Sequence, residues 1–322
     1  MMNVVPYNRE YFDQWNAFVM SAENGTFLFH RNFMEYHSDR FQDASIILLN
    51  KKNQIEAVFP ANVKENKVYS HQGLTYGGLI LKERKHIQEI IRYFYAVVNF
   101  YKNQGIQQIV YKPVPNYISL QPCDAEHFIM NIIKAETTRV DTSFVTHLNE
   151  PLQLQERRKR SLKKAEKLPI KISMDNNFDA YWKEILEPNL WERYQAKPVH
   201  SLEEIKLLHS RFPENILQAN AYLNNKIVAG ITLFVFPKTA HCQYISSIDE
   251  GRESGAIDVL FYQTIQHFSK DKIYFSMGTS NNDGNDLNIG VAAYKESFDA
   301  KIYTHFHYLF STDYICELEK FI

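Results

Sequence analysis

The sequence predicts an α/β fold in two successive domains, each a mixed, mostly antiparallel twisted sheet flanked by helices. Three observations carry this. The chain has 322 residues, room for two hydrophobic cores, because chains of this size split into domains of roughly 50–200 residues. The order helices, three strands, helix, strand, helix, strand occurs twice, with no sequence identity between the copies. Between the copies lies LQLQERRKRSLKKAEKLP, strongly basic and free of helix breakers until Pro169. The boundary belongs there, so the domains are 1–150 and 151–322, the second opened by a basic helix over 153–167.

Each element has a local reason. YNREYFDQWNAFVMSA, from Tyr7, spaces Tyr11, Trp15, Phe18 and Val19 as one helical face, and Asn24-Gly25 breaks it. HRNFMEYHSDRF reads as a short helix. DASIILLNKKNQIEAVFPANVKENKVYSHQGL contains three extended segments, with polar turns at Lys51–Gln54 and Lys64–Asn66, hence a meander. RKHIQEIIRYFYAVVNFYKNQG is a long helix stopped by Gly105. IQQIVYKPVP is a strand, DAEHFIMNIIKAE a helix capped by Asp124, and TRVDTSFVTHLN a strand. After the basic helix, IKISMD is a strand, and FDAYWKEILEPNLWERY is helical, interrupted by Pro188. SLEEIKLLHSRF carries a capping box, Ser201 with Glu204. Three strands span ILQANAYLNNKIVAGITLFVFPKTAHCQYISSID, with Asn224-Asn225 marking a tight hairpin. The helix AIDVLFYQTIQHF, the strand KIYFSMG, the short helix LNIGVAAYKESF and the strand AKIYTHFHYLF complete the copy.

Composition removes several classes. Hydrophobic residues make up 45% and charged residues 23%, ordinary for a soluble globule. A net charge of -1 excludes a global polyanion binder. Cys123, Cys242 and Cys316 are too few and too widely spaced for a disulfide framework or a zinc motif, and each reads as a small buried hydrophobe. The start, MMNVVPYNREYFDQW, has no apolar segment of signal-peptide type, and no apolar run is long enough to cross a bilayer, so cytoplasm is the expected location. The 20 tyrosines and 22 phenylalanines suit large cores or an aromatic-lined groove.

Several weak motifs, read together, resemble a known family. They are GTFLFHRNFMEYH near the start, HQGLTYGGL after the third strand, the basic RRKRSLKKAEK, and YISSIDEGRESGAIDVLFYQTIQHF followed by YFSMGTSNNDGNDLNIGVAAYKESFDA. Each half resembles the acyl-CoA N-acetyltransferase (GNAT) fold. The whole is similar to the tandem-GNAT proteins of the FemAB family, although Asp299 stands where those proteins often have Gly. The resemblance implies transfer of an acyl group from a thioester, acyl-CoA as co-substrate, to a primary amine of a small molecule or cell-envelope precursor. Some FemAB relatives use aminoacyl-tRNA instead, so a tRNA-dependent peptidyltransferase is an alternative; a silent tandem-GNAT binding protein is another. No coiled-coil arm of the tRNA-dependent kind is visible between Pro169 and Ser201.

Candidate residues follow. GRESGA places Arg252, Gly255 and Ala256, with Ser247 upstream, at a strand-to-helix turn. Such a turn is either plain or an anion holder: the first N–H groups of a helix lack internal partners, and glycine permits close approach. The resemblance implies coenzyme A pyrophosphate there. The segment Gln153–Lys167 carries a net charge of +5, read either as a solvated face or as a phosphate contact through Arg158, Lys159 and Lys163. Tyr244 is a proton donor or a half-buried strand residue. Its strand alternates imperfectly, and the resemblance implies that this strand supplies an oxyanion donor. Asp258 is a base or first-turn capping chemistry. His71 is a base or a satisfied histidine, and Tyr76 lines an acceptor groove or a core. Lys295 contacts a phosphate or carboxylate, or simply favours its helix end. Asp283 and Asp286 lack EF-hand spacing. His305 and His307 share a strand face but show no third ligand nearby in sequence, which argues against zinc. The expectation is a cleft with the donor site in the second domain.

Overall fold

The structure, a computed structural model, describes residues 2–83, 85–121, 124–282 and 286–322. It divides into two compact units. One comprises Met1–Asp141 and Thr304–Ile322, the other Thr142–Tyr303. The chain thus changes unit twice, where the sequence suggested one boundary at 150/151. Strand pairing is long-range and cannot be read from element order, so the return of the last segment was not foreseen.

The N-terminal segment supplies β1 (Asn3–Pro6), α1 (Phe12–Ser21), α2 (Arg31–Met34), β2 (Gln42–Asp43), β3 (Ile46–Leu49), β4 (Ile55–Phe59), β5 (Asn62–Lys64), β6 (Lys67–Tyr69), β7 (Ile80–Leu81), α3 (Ile87–Asn103), β8 (Gln108–Tyr111), α4 (Ala125–Ile132) and the start of β9 (Glu136–His147). The expected three-segment meander is four strands in two pieces. β1, β3, β4 and β7 form one antiparallel ribbon. β2, β5 and β6 form an antiparallel set that continues, parallel, into β8. Pro60 lies between β4 and β5; without an N–H it cannot continue a ladder, and the chain passes there from one piece to the other. The helix α3 buries Ile90, Ile91, Phe94, Val97, Val98 and Tyr101 and stops at Gly105, whose φ is 82°. Asp124 makes no capping bond; its carboxylate accepts from Asn116 instead.

The second unit holds α5 (Glu156–Ala165), β10 (Ile170–Ser173), α6 (Phe178–Tyr181), a π-helical turn (Trp182–Leu186), α7 (Glu187–Tyr194), α8 (Leu202–Arg211), β11 (Ile216–Leu223), β12 (Lys226–Val235), β13 (Thr239–Ser247), α9 (Asp249–Glu253), α10 (Ala256–Phe268), β14 (Tyr274–Thr279) and α11 (Ile289–Glu296). β15 (Lys301–Ser311) leads back, and its second half pairs antiparallel with β8, Tyr308 opposite Tyr111. The π turn precedes Pro188, whose missing N–H frees a carbonyl one turn back. Ser201 and Glu204 make both capping-box bonds. Asn224 and Asn225 have φ of 51° and 64°, the two left-handed residues of a type I′ hairpin.

β10 to β13 run antiparallel in order, β13 pairs parallel with β14, and the second half of β9 pairs antiparallel with β14. The helix α10 lays Leu260, Phe261, Ile265 and Phe268 on Val228, Ile231 and Leu233 of β12 and their neighbours. Each such side chain contributes about 1.5–3 kcal/mol by leaving water. Cys242 belongs to this core, whereas Cys316 is exposed, against expectation, because its C-terminal 3-10 helix turns Ile315 and Leu318 inward instead. Cys123 lies outside the described residues. Among the described residues, no helix is long and apolar enough to cross a membrane.

Candidate functional site

Two neighbouring strands of the second unit part in mid-course. β13 and β14 are paired over only three positions, ending at His241 opposite Ser276. β13 continues to Ser247 and β14 to Thr279 without further pairing. Each strand carries an irregularity at the point of divergence. On the β12 side, Thr232 faces Tyr244 but Leu233 faces Cys242, which leaves Gln243 as a bulged extra residue. On the β9 side, the register of β14 shifts between Ser276 and Thr279, where Gly278 adopts φ of 70°. Bulges bend a strand and increase its twist; two at the same level on adjacent strands open a slot between them. The imperfect alternation around Tyr244 is the sequence trace of the first bulge.

Lys295, from α11, bonds β14 beyond the last position that pairs with β13. It is only 5% exposed, and its Nζ donates to the carbonyls of Gly278 (3.1 Å) and Thr279 (2.6 Å). An ammonium has three donors, so one N–H remains beyond these two acceptors. Burial lowers its pKa to about 8, which keeps most of it charged at neutral pH. His241 lies beside it, with Nδ1 3.0 Å from Ser276 Oγ. Burial, and secondarily the Lys295 charge, pushes this imidazole down to about 4, so it is neutral at pH 7. Burial pushes the Cys242 thiol up, which leaves no nucleophilic thiolate. Sequence reading singled out Lys295 but missed His241, Ser276 and Gly278, since nothing local marks where two distant strands separate.

The glycine corner differs from the open turn expected. The short helix α9 occupies it, and several amides of the corner are bonded internally. Gly251 and Arg252 donate to the Ile248 carbonyl, Ser254 to Glu250, and Gly255 to Arg252. The Ala256 amide donates to Ser254 Oγ at 3.3 Å. The Arg252 guanidinium is held by the Ser247 carbonyl and the Asp249 carboxylate. Ser247 is buried, and its single O–H is shared between the carbonyls of Val228 and Ile248. Gly255 has φ of 78°, and a Cβ there would meet Ser161 Oγ at 3.2 Å and Ala165 Cβ at 3.3 Å. The glycine is needed for close packing of α5 on α10, and several of the donors expected to face an anion are already used.

That packing also reassigns two other candidates. Arg158 and Asp258 are both buried and form an ion pair. Asp258 accepts further bonds from Ser161 (2.5 Å) and Tyr294 (2.9 Å). Arg158 donates to Ser297 Oγ at 3.0–3.1 Å and stacks over the Tyr294 and Phe298 rings at 4.5 Å. Its donors serve the inside of the unit, around the Asp258 carboxylate. The opposite side of α5 faces outward. Lys163 and Lys164 are exposed, as is Lys159, which pairs with Glu156 at 2.8 Å. The exposed basic face thus borders the end of α9, where Lys164 reaches the Glu253 carbonyl.

The Tyr244 hydroxyl engages His200, at 3.1 Å from its amide and 2.6 Å from Nδ1, and burial raises the phenol to about 12. His71 and Tyr76 lie in the first unit, apart from the slot residues in chain and unit. His71 is buried at φ of 63°, accepts from the Gly73 amide, and is pushed by burial down to about 3, too low for a base at neutral pH. Tyr76 is 3% exposed and packs on Phe29, so it belongs to a core. Asp283 and Gly284 lie outside the described residues. The fold brings a third ligand-type side chain, Asp141, beside His305 and His307, a neighbour that their local sequence does not show.

No protein-family model matches the chain, and no curated protein matches it. Solved structures do. FemX is 10% identical, with 95% of this chain and 97% of that one covered and a TM-score of 0.67. The C-terminal domain of a putative lysylphosphatidylglycerol synthetase from Agrobacterium fabrum is 12% identical, with 97% and 95% covered and a TM-score of 0.60. A tandem GNAT protein from the clavulanic acid biosynthesis pathway is 10% identical, with 97% and 99% covered and a TM-score of 0.52. At such identities the likeness lies in the fold, and that fold is the two-sheet, GNAT-like architecture expected from the motifs.

Proposed function

We propose that this protein is an acyltransferase whose donor is an aminoacyl-tRNA and whose acceptor is an amine of a small molecule or cell-envelope precursor. The observation that carries acyl transfer is the slot between β13 and β14 with the Lys295 ammonium bonded to β14 beyond their last paired position. An extended donor arm fits between separated strands, where unpaired backbone offers hydrogen bonds. The acceptor nitrogen attacks the ester carbonyl, the C–N bond forms, and negative charge collects on the carbonyl oxygen. The remaining Lys295 N–H stabilises that charge. The C–O bond then breaks, the ribose oxygen leaves with a proton, and the amine nitrogen gives one up. One such donor is worth about 10²–10³ in kcat.

The choice of donor rests on the glycine corner. The amides of Gly251, Arg252, Ser254, Gly255 and Ala256 are already bonded within the corner, which disfavours the usual cradle for a coenzyme A pyrophosphate, while the exposed basic face of α5 suits a polyphosphate backbone. The names FemX and lysylphosphatidylglycerol synthetase agree with envelope chemistry. The slot also suits the arm of acyl-CoA, which is the second reading.

The test pairs two titrations. Aminoacyl-tRNA is expected to bind with strong salt dependence, and Lys159→Glu/Lys163→Glu to weaken it at least about tenfold, whereas acetyl-CoA and coenzyme A give no calorimetric signal. Lys295→Met is expected to lower single-turnover transfer about 100-fold with binding retained. Saturable binding of acetyl-CoA with none of tRNA would overturn the donor assignment, and full transfer activity in Lys295→Met would remove the lysine from the mechanism.

A further inference from the structure

A second group of chemistry-bearing residues belongs to the first unit and is unused by the proposed reaction. Asp141, His305 and His307 present one ligand atom each within 4.8 Å of one another. Asp141 and His305 are 6% exposed. The two histidines are two apart on β15 and therefore share a face, with ring centroids 5.1 Å apart. Asp141 comes from β9. It is the last residue of the first unit before the chain leaves, and His305 follows the return at Thr304 by one position.

The groups around these side chains hold them as ligands. His305 Nε2 lies 3.0 Å from the Pro113 carbonyl. A carbonyl only accepts, so Nε2 carries the proton and Nδ1 presents a bare lone pair. A histidine that donates its far N–H to a backbone carbonyl is the usual arrangement of a metal-binding imidazole. Asp141 Oδ1 accepts from Arg139 Nε at 2.6 Å, which orients the carboxylate and leaves Oδ2 toward His307. His307 Nε2 is 3.1 Å from that Oδ2. Two ligand atoms on one tetrahedral zinc stand about 3.3 Å apart, so a metal enters between them with little movement. The His307 proton then shifts to Nδ1, and the 20% exposed side chain lets water accept from it. Two charges oppose this: the Arg139 guanidinium on Asp141 Oδ1, and the Lys112 ammonium, felt by both His305 and Asp141 and tied to the Leu74 carbonyl at 2.5 Å.

We infer that Asp141, His305 and His307 bind a divalent transition metal of the zinc type, with three protein ligands and one position left for water. Two imidazoles and a carboxylate suit zinc and its neighbours rather than magnesium or calcium. The ion joins the departing and returning strands of the first unit. The inference stands independently of the acyl-transfer reading.

The test uses the full chain, stripped with a chelator and desalted, then titrated with Zn2+ alone by calorimetry and with Co2+ alone by visible absorption. One equivalent is expected, with the intense ligand-field bands of four-coordinate Co2+ and an upward shift in thermal midpoint on adding Zn2+. Asp141→Asn and His307→Gln each weaken binding at least about tenfold, and Lys112→Met tightens it. His307 is the least buried ligand, so its variant is the one best suited to keep the fold, checked by far-ultraviolet circular dichroism. A wild-type chain that shows neither bands nor a thermal shift overturns the inference, and so does binding that persists in the Asp141→Asn/His307→Gln variant.

Discussion

Arg158 illustrates how little a residue type says about its use. As one of seven basic residues in the Gln153–Lys167 segment it looked like a phosphate contact. In the structure it sits inside, with Asp258, Ser297 and two aromatic rings around it. Removing one partner of such a pair leaves a buried, uncompensated charge, at a cost of about 3–5 kcal/mol. Arg158→Met should therefore lower the urea midpoint strongly. Arg158→Met/Asp258→Asn should recover part of the loss, because it leaves no orphan charge. Equal midpoints for Arg158→Met and wild type would show that the pair contributes nothing. The contrast with Lys295 is instructive. Both are buried cations, but the lysine faces two carbonyls at a strand opening, whereas the arginine has a counter-ion.

Bulges and helix packing decide the next level. Gly278 is left-handed and lies at the register shift of β14. A Cβ at that residue would find the Cys242 carbonyl at 3.5 Å and the His241 ring at 3.7 Å, which is ordinary contact. The penalty for Gly278→Ala is thus conformational, roughly 1–2 kcal/mol for an L-residue held left-handed. The expected readout is a lower thermal midpoint and a larger fractional loss of transfer than of stability, since the Lys295 acceptors move with the bulge. A variant with unchanged midpoint would mean that the bulge relaxes without strain. At Gly255 the opposite balance holds, with both the positive φ and the close approach of α5 requiring glycine. Here the GRESGA motif did mark a special backbone, but for packing rather than for a ligand.

For the whole molecule, buried ionisable groups set the response to pH. His71 and His241 are lowered to about 3 and about 4 by burial. The unfolded chain protonates them near 6.5, so it binds more protons than the folded chain as pH falls below that value, and stability declines. Glu126 acts in reverse. Burial raises it from 4.5 to about 8, so the folded chain holds the extra proton between those values, and its contribution is lost as pH rises through about 8. Between 4.5 and 6.5 the two histidines outweigh the one carboxyl, and urea midpoints should fall on acidification. Glu126→Gln should be stabilised relative to wild type most at pH 8, with the advantage shrinking by pH 5. A constant advantage across that range would show that Glu126 is not titrating as a buried acid.

By itself the sequence determined the α/β class, the capping box at Ser201, the Asn224-Asn225 hairpin and the basic helix, because each is written in neighbouring residues through periodicity, caps and turn chemistry. It also pointed to Lys295. Only the tertiary structure decided where β13 parts from β14, that several amides of the glycine corner are bonded internally, that Arg158 turns inward to Asp258, and that Asp141 joins two histidines some 160 residues away. Those outcomes depend on pairings between segments far apart in the chain, whose register and burial no local pattern encodes.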